Sequence, residues 1–191
     1  DISLDDGKLS YTVDSFKSEI YPELSVKDRK LIDLFYLKFD NENLLLLLRD
    51  KDAAVENIGL FSAEELLAVI ESVKDGDIPD KKYPPYFFRF ISEYLNLSSE
   101  EVYMAGDMLA SAYYSYAIEC INKFISSWYE FNLNMNNIQS AMSARKYKLD
   151  VASVIVGNTD VCDALRTSNA RDFGLNDVLS YFDPLQRILE I

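Results

Sequence analysis

The side chains of this sequence best suited to chemistry are its acids: the adjacent pairs Asp5-Asp6, Glu64-Glu65 and Glu100-Glu101, and the spaced pair Asp40-x-Glu42. Two carboxylates in unlike surroundings can divide acid and base roles, and a cluster of them can hold a hard cation. Glu64-Glu65 and Glu100-Glu101, however, follow Ser62 and Ser98-Ser99, the arrangement of a helix first turn, where acids meet the positive end of the macrodipole. Asp40-x-Glu42 lacks the glycine turn and the ligand number of an EF-hand loop. Capping is therefore the reading of the pairs, and no metal is expected.

The sequence contains no histidine. That removes the commonest general base, the Ser-His and Cys-His nucleophiles and most zinc sites. There is no GxGxxG or P-loop run, and six glycines leave little scope for a phosphate cradle. An enzyme working through carboxylates and tyrosines ranks last, so neither catalysis nor a cofactor is expected. The remaining cluster is Arg145-Lys146-Lys148, with Tyr147 between. It reads as a helix end complementing the macrodipole or as a patch that binds a partner.

The formal net charge is −13, with 12 basic and 21 acidic residues in positions 1–100 and 7 and 11 in positions 101–191. A surface this acidic repels phosphate backbones and anionic lipid, so nucleic acid and peripheral membrane are poor partners. A basic protein remains open. Cys120 and Cys162 sit in apolar helical contexts and are expected reduced and buried.

A hydrophobic share of 49% over 191 residues supplies a core, and sparse glycine and proline favour a mainly α fold. Residues 1–20 alternate weakly around Leu9, Tyr11 and Val13, as a short strand or an extended arm. Ser25 with Asp28 marks a helix start, and the apolar face Leu31, Leu34, Phe35 carries it to about Phe39. At Asp40-Asn41-Glu42-Asn43 the helix either breaks and restarts or continues with a polar band; the break is preferred, because Asp and Asn compete for backbone hydrogen bonds. Leu44–Leu48 cover every direction of a helix, so that turn should be buried all round, inside a bundle or under another chain. Ser62 with Glu65 starts the next helix and Gly76 closes it. Pro84-Pro85 mark a hinge, giving units 1–82 and 83–191.

Beyond the hinge a helix over about Tyr86–Leu95 precedes a long helical stretch from Ser98 to at least Phe131. Its stripe of Tyr103, Met104, Met108, Ala112, Tyr116, Cys120, Lys123 and Phe124 reads as core or helix–helix contact. Two or three shorter helices follow, with Asp160, Asn176 and Asp183 as N-caps. The run "DNENLLLLLRDK" is far shorter than the ~20 residues a membrane-spanning helix needs. An opening Asp and the apolar, uncapped "PLQRILEI" read as a piece of a longer chain.

A shift of 94 residues lays "LIDLFYLKFDNENLLLLL" over "ISSWYEFNLNMNNIQSAM". Asp40 meets Asn134, Asn43 meets Asn137 and Leu44 meets Ile138, so [DN]-x-x-N-[LI] recurs behind an aromatic-rich helix. Two similar helical units are expected, with these polar residues fixing the helix breaks. "DNENLLLLLRDK" and "NMNNIQSAMSARK" resemble the D-x-x-N-[IL]-x-x-x-x-R-x-K pattern of the C-type (eukaryotic d-type) subunits of V-type and A-type rotary ATPases, and the chain is similar to an uncharacterised bacterial family that accompanies V-type ATPase genes. Asp40, Asn43, Leu44, Arg49 and Lys51 fit throughout. The second copy departs, with Asn134 for Asp, Ser143 for Arg, and Arg145 at the Lys position.

The resemblance implies an all-helical, non-catalytic component of ion transport that seats the central shaft on the membrane rotor ring. It would be cytoplasmic, held at the inner membrane only through the complex. In that family the helical units form a funnel, and the resemblance implies that Arg49, Lys51 and Arg145 would face it or a neighbouring protein of the complex, with Lys146 and Lys148 as further partner contacts.

Overall fold

The computed structural model describes residues 12–78 and 80–189. Among the described residues there are eight α-helices and no strand: α1 Val13–Ile20, α2 Val26–Arg49, α3 Ala63–Lys74, α4 Pro85–Leu95, α5 Ala105–Ile118, α6 Lys123–Lys146, α7 Asp160–Thr167 and α8 Phe182–Leu189. The chain is mainly α, as its composition dictates. It divides into two compact units, residues 1–68 and 69–191. The division falls inside α3, while Pro84-Pro85 supply the N-cap and first residue of α4.

Local signals act where the chemistry requires. Ser25 Oγ accepts from the Asp28 amide, and Ser62 Oγ accepts from the Glu65 amide while Glu65 accepts from the Ser62 amide, a reciprocal capping box. Gly76, at φ +78°, ends α3 in the left-handed conformation that glycine adopts without cost.

Several expectations are corrected. Val13–Ile20 is a helix capped by Thr12, not strand or arm; the rest of that expectation lies outside the described residues. α2 does not break at Asp40-Asn43 but runs unbroken for 24 residues. Its buried face takes in Leu34, Leu37, Asp40, Asn41, Asn43, Leu44 and Leu47, so the polar residues keep the spacing of the apolar ones. Leu44 is fully buried but Leu46 is 42% exposed, so the leucine turn has one wet side. Asp160 is the first residue of α7, whose cap is Thr159, and Asp183 lies in the first turn of α8, while Asn176 begins no helix.

The expected long helix over residues 98–131 is two helices. α5 ends at Ile118, and Asn122 caps α6 by accepting from the Ile125 amide. α5 buries Ala105, Leu109, Tyr113 and Ala117, one position on from the Met104, Met108, Ala112 and Tyr116 stripe. Tyr103 and Phe124, the outer members of that stripe, are 80% and 73% exposed. α4 packs on α5 and α5 on α6. The Tyr113 hydroxyl donates to that of Tyr129, 2.9 Å away, and burial raises both phenols, so both stay protonated. A second cluster joins α6 to α7 and α8 through Leu133, Ile138, Cys162, Leu165, Phe173 and Phe182.

Candidate functional site

The motif residues act from mid-helix on the loop that follows. In the first unit the Asn43 amide makes two bonds to one residue of the α2–α3 loop: Nδ2 donates to the Glu56 carbonyl at 2.8 Å and Oδ1 accepts from the Glu56 amide at 3.1 Å. In the second unit Asn137 does the same to Val156, at 2.7 and 2.9 Å. An asparagine side chain carries one acceptor and two donors, which lets it replace a strand partner for a single residue of backbone. The loop closes against the helix without forming a sheet.

The first motif residue, one turn earlier, holds the start of the next helix. Asp40 accepts from the Leu60 amide at 2.9 Å and the Phe61 amide at 3.0 Å, immediately before the Ser62 cap of α3. Asn134 accepts at 3.2 Å from the hydroxyl of Thr159, the cap of α7. Leu44 and Ile138 are both fully buried behind these groups. The polar residues that were expected to fix helix breaks fix loops instead.

A cation completes each loop. Lys17 donates to the carbonyls of Ile58 and Gly59 at 2.9 and 2.8 Å and lies over the Tyr36 ring. Arg166 donates to those of Ile155 and Gly157 at 3.0 and 2.7 Å. Each loop also has a glycine at the closest approach. A Cβ on Gly59 would collide with the Asp40 carboxylate, and one on Gly157, at φ +82°, would lie 2.9 Å from Leu133. Asp40 is fully buried; desolvation raises its pKa, against the lowering effects of the Leu60 and Phe61 amides and of Lys17. Burial lowers the pKa of Lys17, opposed by Asp40, Asp14 and Asp33.

The second clipped loop is one wall of an open groove of about 620 Å³. Ser153, Ile155, Val156, Gly157 and Asn158 form that wall with Arg166, and α4 and α5 form the other. Met104, Met108, Ala112 and Tyr116, from the stripe read in the sequence as core or helix–helix contact, lie along it. Pattern alone could not separate the two neighbouring stripes of α5, and no residue type announced the groove.

The basic cluster divides. Arg145 turns inward: its guanidinium donates to the carbonyls of Ser168 and Ala170 at 2.7 and 2.6 Å and stacks on the Phe173 ring at 3.4 Å. It closes the carbonyl end of α7, as a cation there should. Lys146 and Lys148 are exposed at the end of α6, as are Arg49 and Lys51 at the end of α2. Among the described residues no group of three or more Cys, Asp or Glu is placed to hold a metal ion. Among the described residues no helix is long and apolar enough to cross a membrane.

One family model matches the chain over residues 1–191: DUF2764, described as a protein of unknown function. No curated protein and no solved structure matches.

Proposed function

The chain belongs to the DUF2764 family; from the resemblance of its two motif segments to the rotary-ATPase pattern we propose that it is a non-catalytic helical coupling subunit of a V/A-type rotary ATPase, connecting the central shaft to the membrane rotor ring. The observation that carries the reading is the matched work of Asp40-Asn43 and Asn134-Asn137. Residues that could have been a reactive cluster are consumed twice over in clipping a loop to a helix. A polar pattern spent on architecture, in a chain without histidine, leaves surfaces as the means of action. The recurrence also fits an internal duplication, the feature on which the likeness to the rotary-ATPase family rests.

In this role the protein is cytoplasmic and meets the membrane only through the rotor ring. Arg49 and Lys51 are its exposed cations at the end of the first motif. The departures of the second copy favour a second reading, an all-α interaction domain of unrelated assembly: Asn134 and Ser143 replace charged residues, and Arg145 serves its own chain.

Recovery on a tag separates the two. The tagged full-length protein, purified from detergent-solubilised native membranes, should bring the central-shaft proteins with it. Their absence, with other proteins recovered in stoichiometric amount, would favour the second reading.

A further inference from the structure

The geometry points to the α4–α5 groove of the second unit as a docking site for an amphipathic helix of a partner protein, carrying a basic residue near each end. This rests on the reading of the chain as a coupling module and adds the chemistry of what it holds.

The floor is apolar and adaptable. Met104, Met108, Ala112 and Tyr116 follow one another at helical spacing, and each is only partly buried or exposed. Methionine packs against varied shapes because its chain is unbranched and its sulfur polarisable. The positions fully buried inside the unit are the neighbouring Ala105, Leu109, Tyr113 and Ala117; of the stripe, Tyr116 rests its ring on Tyr86 of α4, 5.3 Å between centroids, and the two methionines stay partly exposed. At a rise of about 1.5 Å per residue, Met104 to Tyr116 spans about 18 Å, the length of about three helical turns.

The rim supplies the sign. Five charged side chains line the groove: Arg89, Glu93, Asp107, Glu119 and Arg166. Arg89 is paired with Glu93 at 2.9 Å, and Arg166 donates to loop carbonyls and lies 3.6 Å from Asp163. Asp107 and Glu119 are exposed and have no basic partner among the described residues. They stand at opposite ends of α5. Asp107 lies in the first turn, where an acid favours the helix, but Glu119 is the C-cap, where an acid opposes the macrodipole. An acid kept against its own helix is accounted for by a cation supplied from outside. The repulsive background of −13 selects further for a basic partner.

The opposite wall is set by the second motif. Asn137 holds Val156 and Arg166 holds Ile155 and Gly157, so the groove has its width before anything binds.

The test uses the full chain and a fluorescein-labelled 16-residue model peptide with leucines at i, i+4 spacing and lysines near both ends. Its counterpart carries glutamates in place of the lysines. Wild type should bind the lysine peptide and not the glutamate one. Asp107→Lys/Glu119→Lys should weaken the lysine peptide at least tenfold and admit the glutamate peptide, while Asp77→Lys/Glu100→Lys, with the same charge change elsewhere, leaves both as in wild type. Circular dichroism verifies that each variant is folded.

Failure of wild type to bind the lysine peptide overturns the proposal, as does equal loss in the two variants, which would mean diffuse attraction to an acidic surface. Self-association that the groove variant abolishes would make the occupant a second copy and overturn it too. Groove-dependent peptide binding without recovery of shaft proteins sinks the rotary reading and leaves the groove. Shaft recovery undiminished by Asp107→Lys/Glu119→Lys does the reverse.

Discussion

Asn43 and Asn137 form the same two-bond pair with a loop residue, yet they should not cost the same to remove. Glu56 is exposed, so water can replace the lost amide, whereas Val156 is half-buried and Asn137 also donates to Cys162 Sγ at 3.3 Å. An unpaired buried backbone group costs about 1–3 kcal/mol. Asn137→Ala should therefore lose about 2–4 kcal/mol in urea unfolding, and Asn43→Ala less. Asp40 adds a pH dependence. Burial raises its folded-state pKa above the unfolded value, so the folded chain binds that proton more tightly. The stability this confers is present below the unfolded pKa and is lost as pH rises towards the folded pKa. Asp40→Asn keeps an acceptor for Leu60 and Phe61 and removes the charge. Its stability relative to wild type should rise in paired urea titrations as pH is raised above the unfolded carboxyl's pKa of about 4.

At the scale of the element, the long helices show why some of the fold was legible and some was not. Ser25, Ser62, Gly76 and Pro85 act within one turn of themselves, and their effects can be read locally. Asp40 and Asn43 do not. Their intrinsic preference is to end a helix, but their partners lie in a loop beyond the helix end, and tertiary hydrogen bonds outweigh propensity. Spacing held the clue, since Leu37, Asp40, Asn43 and Leu47 follow helical periodicity. The motif positions were found; their task was not. In α5 two adjacent stripes are both apolar, and which one is buried depends on α4 and α6. The end of α6 carries a local cost: Lys148 adopts φ 58° where glycine is usual, donating to the Arg145 carbonyl at 3.2 Å. Lys148→Gly should stabilise the protein by about 1 kcal/mol, seen as a higher thermal midpoint. An unchanged or lower midpoint would mean that the lysine side chain contributes there.

For the whole molecule, the described residues form a helical scaffold in which the motif side chains clip loops to helices; in the proposed role its exposed faces meet partners. Arg49 is exposed at the end of α2, so Arg49→Ala should leave thermal unfolding unchanged while lowering the recovery of partner proteins. A matching fall in stability would assign the arginine to the fold instead. The acidic surface predicts that association weakens as salt is raised, because exposed charges are screened over about 8 Å at physiological ionic strength. The most direct test of the coupling role starts from the complex and not from this chain. A rotary ATPase from the same cells, solubilised, purified through a protein of its catalytic head and active in ion-coupled turnover, should contain this chain in stoichiometric amount by quantitative mass spectrometry. An intact, coupled complex without it would contradict the account.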